Sequence, residues 1–131
     1  MRIGLALSFA AMALLAAPAG AVGMGPLSNS GLTDGPAKAF YLTVSNPYDR
    51  PESFRVFAED PGLAERVALR PAEFRLGAGK SRTVLAIATG LAAEETFKFR
   101  VCARKFDDEK DLVRAKVCST LSARRVDRAP R

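Results

Sequence analysis

Apolar and polar residues alternate in short segments between Phe40 and Leu121, and turn chemistry separates one segment from the next. In 38–45, Phe40, Leu42 and Val44 alternate with Tyr41, Thr43 and Ser45, the two-residue period of a strand with one buried face. Glu52 to Ala58 repeats the pattern with Phe54, Val56 and Ala58 inward. Between them, Asn46-Pro47-Tyr48-Asp49-Arg50-Pro51 reads as a turn, because the prolines lack a ladder donor and Asn and Asp bond the local backbone. Glu59-Asp60-Pro61-Gly62 ends the second strand, and Leu63 to Arg66 has room for one helical turn.

Arg66 to Leu76 carries Val67, Leu69, Phe74 and Leu76, interrupted by a Pro71 that must sit at an edge or a bend. Gly77-Ala78-Gly79-Lys80 then turns the chain into Ser81 to Ala88. That segment is apolar on both sides, so its inward set is either Leu85 and Ile87 or Val84 and Ala86. After a loop from Thr89 to Glu95, Thr96 to Lys105 sets Phe97, Phe99, Val101 and Ala103 against Lys98, Arg100, Cys102 and Arg104. An acidic turn at Asp107-Asp108-Glu109 reverses the chain. Leu112 to Ser122 returns with Val113, Ala115, Val117, Ser119 and Leu121 opposed to Arg114, Lys116, Cys118 and Thr120. Strands at this spacing predict an all-β protein, a β-sandwich of about seven antiparallel strands.

Of the 131 residues, the first 21 are set apart by composition. Arg2, an apolar run from Ile3 to Ala17 and the small residues Ala19-Gly20-Ala21 form a signal peptide with cleavage expected before Val22. The run is shorter than the ~20 residues a spanning helix needs, so no stable membrane insertion is expected after cleavage. The expected organisation is a leader over 1–21, an irregular lead or edge strand over 22–37, the sandwich over 38–122 and a basic tail over 123–131.

Charge divides the mature chain unevenly. Val22 to Phe97 is close to neutral, whereas Lys98 to Arg131 holds the excess of Lys and Arg that makes the whole chain +6. In an exported protein the common anions are head groups, wall polymers and acidic protein faces, rather than nucleic acid. A solvated face that keeps the protein soluble would carry the same charge.

The hairpin register can be tested on the two cysteines. With the turn centred near Lys110, Cys102 lies opposite Cys118, and two facing thiols in an oxidising compartment should join. There is no CxxC spacing to lower a thiol pKa. Without a single His, the two cysteines cannot assemble a common zinc site. The lack of His also removes Ser-His and Cys-His catalysis. The paired acids Asp107-Asp108 and Glu94-Glu95 fall in loops, and Gly77 to Ser81 lacks phosphate-loop spacing and precedes a strand. The chain is therefore not expected to be an enzyme, and no cofactor is expected.

The succession LTVSNP, FRVFAED, RVALRPAEFRLGAGKSRTVLAI and ETFKFRVCAR resembles the amino-terminal domain of the periplasmic pilus-assembly chaperones, the PapD-like group. Asn46, Pro71, Phe74, Leu76 and Gly79 occupy places characteristic of that family. The resemblance implies an immunoglobulin-like sandwich in the periplasm and a protein partner, a pilin-like subunit or another envelope protein. It also implies binding by strand-edge pairing. The family's chaperones carry a second β domain and an Arg in the first strand, and the lead before Lys38 has no Arg.

The last strand is expected to be a sheet edge. Its Val113, Ala115, Val117 and Leu121 either complement a partner's sheet or line this domain's own core. Partner-binding candidates are Arg100, Arg104, Leu112, Arg114 and Lys116. The alternative function is a structural sandwich in a cell-envelope assembly, with no chaperone activity.

Overall fold

The computed structural model describes residues 22–106 and 115–127. Nine strands, two more than expected, build the sandwich: β1 (Gly23–Gly25), β2 (Ser28–Thr33), β3 (Lys38–Ser45), β4 (Glu52–Ala58), β5 (Val67–Arg70), β6 (Glu73–Leu76), β7 (Ser81–Ala88), β8 (Thr96–Lys105) and β9 (Lys116–Arg125). A short 3-10 helix, Pro61–Arg66, precedes β5; Asp60 caps it through its side chain and a Pro occupies its first turn. One sheet has the order β1-β3-β7-β5 and the other β2-β9-β8-β4-β6. Among the described residues no helix is long and apolar enough to cross a membrane.

The surplus strands arise where the chain changes sheets. The lead, expected to be irregular or an edge strand, pairs with β3 through β1, crosses at Pro26-Leu27, and pairs in parallel with β9 through β2. The segment from Arg66 to Leu76, with Pro71 expected at an edge or a bend, divides in the same way. β5 lies on β7, β6 lies on β4, and Pro71 stands at the crossing, where its missing N–H costs no ladder bond. Each crossing segment therefore edges both sheets, and covers only part of each neighbour.

Alternation places the core between the sheets. Phe40, Leu42, Val44, Phe54, Val56, Phe97, Phe99, Val101 and Leu121 are buried, with Phe40 edge-on to Phe99 and Phe97 stacked on Phe99. The open phase of β7 resolves to Val84, Ala86 and Ala88 inward. Leu85 and Ile87 face out beside Tyr41 and Ala39, their neighbours in the register. The outer face of the four-stranded sheet is thus almost uncharged, with Arg70 at its margin. The outer face of the five-stranded sheet carries Arg55, Arg75, Lys98, Arg100, Arg104, Lys116 and Arg124.

Asn46 fastens one end of the sandwich. Buried between the sheets, its side-chain amide donates to the carbonyls of Arg50, Leu76 and Gly77, and its Oδ1 accepts from the Tyr48 N–H. Its backbone bonds Lys80 and Gly79, and Gly79 takes the positive φ of 68° that the turn requires.

Candidate strand-edge site

β9 is not the sheet edge expected of it. β2 lies against it from Ser28–Thr33, in register with Thr120–Arg125, and the strand continues to Arg125, beyond the expected end at Ser122. β2 thereby becomes the edge of the five-stranded sheet on that side. Coverage nevertheless stops partway. The Thr120 N–H donates to the carbonyl of Leu27 at 2.9 Å, and before Leu27 the chain departs towards the other sheet. Ser119 Oγ donates to the Pro26 carbonyl at 2.6 Å, just before the chain crosses.

Backbone groups along a strand point alternately to its two sides. Because Thr120 directs its N–H towards β2, Cys118 and Lys116 direct theirs the same way. No strand among the described residues pairs with them there. Val117 and Ser119 bond instead towards β8, where Ala103 and Val101 are their register partners. Lys116 and Cys118 therefore present an open half-edge.

Cys118 lies on this half-edge, with Cys102 across from it on β8. Cys102 and Cys118 are cross-strand partners joined by a disulfide, as the sequence register predicted. Their Cα atoms are 4.0 Å apart, in keeping with the narrow, non-hydrogen-bonded pairing inferred from the backbone parity. Glu59 Oε2 lies 3.5 Å from Cys102 Sγ. A carboxylate and two sulfurs grouped in this way could suggest a metal site. The sulfurs are bonded to each other, so neither is a thiolate available to a metal.

Charge surrounds the bridge. Arg100 reaches Glu59 at 2.9 Å and Lys116 approaches the same carboxylate at 4.0 Å. One row of the outer face runs Glu73, Arg55, Arg104 and Lys116 across four strands, ending at the open half-edge. Glu73 engages Arg55 at 2.7 Å, and Arg104 lies over the Phe57 ring at 5.4 Å. Of the expected partner-binding residues, Arg100, Arg104 and Lys116 are brought together, while Leu112 and Arg114 lie outside the described residues. Arg55, Phe57 and Glu59 were not foreseen. The alternation of Arg55 and Phe57 in β4, with Glu59 just beyond it, was legible, but β4's adjacency to β8 is a product of the tertiary fold.

At the opposite end of β9, Arg66 binds Glu95 through two nitrogens, at 2.8 and 3.2 Å, and stacks on Phe97 at 4.0 Å. The Arg66 hydrogen bond, the Ala92 N–H and the Arg66 charge together hold the Glu95 carboxyl below its ordinary value, against a smaller opposing effect of burial. This cluster anchors a loop: Arg66 also donates to the carbonyls of Thr89 and Gly90.

No protein-family model matches the sequence. No curated protein matches it either. Solved structures do match in fold. PapD-like domain 7 of human CEP192 aligns with a TM-score of 0.67 at 10% identity, over 82% of this chain and 87% of that one. The E. coli chaperone DraB aligns at 0.62 and 18% identity, over 79% of this chain and 54% of its own length. The periplasmic chaperone SfaE aligns at 0.62 and 17%, over 83% and 61%. The fold is that of a PapD-like, immunoglobulin-like domain. The chain spans little more than half the length of these two chaperones. The named neighbours are chaperones and a domain, not enzymes.

Proposed function

We propose that this protein is a periplasmic, chaperone-like binding protein, without catalytic activity, that receives an extended segment of a protein partner along the open half-edge of β9. The observation that carries the reading is the half-edge itself: Lys116 and Cys118 direct their backbone groups to a side that β2 leaves uncovered. An added strand would continue the five-stranded sheet, with backbone bonds supplying affinity and alternate side chains specificity. The chaperone neighbours support this assignment: one is seen with a pilin, SafA with SafB from Salmonella enterica. The expected leader supports the compartment.

The backbone parity gives a clean test. Lys116→Pro removes a donor from the open side while leaving the β8 ladder intact, whereas Val117→Pro removes a donor that β8 uses. A short synthetic peptide of alternating Val and Ser should bind the wild type and shift the Lys116 and Cys118 amide resonances. Lys116→Pro should fold normally and bind about fivefold more weakly, the loss of one ladder bond. No binding to the wild type, or equal binding to both, would overturn the reading in favour of a structural sandwich.

A further inference from the structure

The row of the outer face that ends at the half-edge runs through three successive cations, Arg55, Arg104 and Lys116. Its only carboxylate, Glu73, sits at the far end and is engaged by Arg55. Among the described residues Arg104 has no ion pair; its guanidinium rests on Phe57. Lys116 shares Glu59 with Arg100, and Arg100 holds the closer position, at 2.9 Å against 4.0 Å. One carboxylate thus serves two cations, and positive charge accumulates towards the place where the sheet stops.

Residues directly opposite on adjacent strands lie about 4.5–5.5 Å apart at Cβ, and opposite charges there are favourable while like charges are not. A strand added beside β9 would set one face of its side chains in line with this row. Its other face would turn inward beside Val117, a partly buried residue packed on the core. We infer that the partner segment is acidic on its outward positions and apolar on its inward ones, with a Glu or Asp placed across from Lys116. This inference rests on the half-edge reading above and specifies the chemistry of its ligand. The four-stranded sheet, whose outer face is nearly uncharged, offers no such selection.

Three capped synthetic peptides of equal length, alternating Val with Glu, Ser or Lys, separate the two claims. At low salt the Glu peptide should bind about tenfold more tightly than the Lys peptide, with the Ser peptide between them, because an attraction replaces a repulsion at one or two outward positions. The gap should narrow when salt shortens the screening length. In the double variant Arg104→Glu, Lys116→Glu the order should reverse, with circular dichroism confirming the fold. Equal binding of all three peptides, sensitive to Lys116→Pro, would overturn the acidic ligand and leave the half-edge standing. If none of the three binds, both claims fail.

Discussion

The two halves of β9 share one strand and one antiparallel partner, and differ in what lies on the other side. From Thr120 to Arg125 the strand is flanked by β8 and by β2, and its inward residues Leu121 and Ala123 are fully buried. From Lys116 to Ser119 β8 is its only ladder partner among the described residues, Val117 is only partly buried, and a disulfide ties the two strands together. The covered half is held by ladders and packing. The open half has lost one ladder and carries a covalent cross-link in its place. The bridge ties the open half to β8 without occupying the backbone groups on its outer side.

Packing should distinguish the halves most strongly. Leu121→Ala should cost about 3–4 kcal/mol in urea unfolding, because it opens a cavity among fully buried neighbours. Val117→Ala should cost only about 1 kcal/mol, since its site can relax towards solvent. Similar losses would mean that the open half is as tightly packed as the covered one. Next in size, the double replacement Cys102→Ser, Cys118→Ser should cost about 3 kcal/mol on the loop-entropy estimate for a separation of 16 residues. Amide exchange should then accelerate at Ala103 and Val117 well before Leu121 and Ala123. Uniform acceleration along β9 would show that the bridge stabilises the whole domain instead of the open half.

The smallest effect belongs to the covered end and depends on pH. The folded Glu95 carboxyl is held below its unfolded value, chiefly by the Arg66 hydrogen bond, so the unfolded state binds more protons in the acid range. Its contribution is complete above the unfolded value and fades as pH falls through the lowered folded value. Melting temperatures of wild type and Glu95→Gln should therefore differ more at neutral pH than in acid. A gap independent of pH would assign Glu95 a packing role only.

The inward sets of β3, β4, β6 and β8 were legible because each strand has one apolar face, and a two-residue period admits one burial phase. Phe40, Leu42, Val44, Phe54, Val56, Phe97 and Phe99 lie where the alternation put them. β7 was not legible, because Val84-Leu85-Ala86-Ile87 satisfies both phases. β2 was not legible for the opposite reason: SNSGLT, a polar edge segment with Leu32 left 66% exposed, has no period to read. The cysteine pairing could be read because two consecutive antiparallel strands make register a matter of counting from the expected turn. The expected leader over 1–21 and the acidic turn with Leu112 and Arg114 lie outside the described residues.

By itself the sequence determined the strand rhythm, the sandwich and the Cys102–Cys118 bridge, since alternation and hairpin register are local properties of the chain. The turn at Asn46 was likewise legible, though not its role as a buried clamp on Gly77 and Leu76. Only the tertiary structure decided where the lead and the Pro71 segment change sheets, and so which half of β9 is covered. Parallel pairing of β2 with β9 joins residues that are far apart in sequence, and no local pattern encodes where such a pairing stops. The open half-edge is the remainder that this long-range pairing leaves.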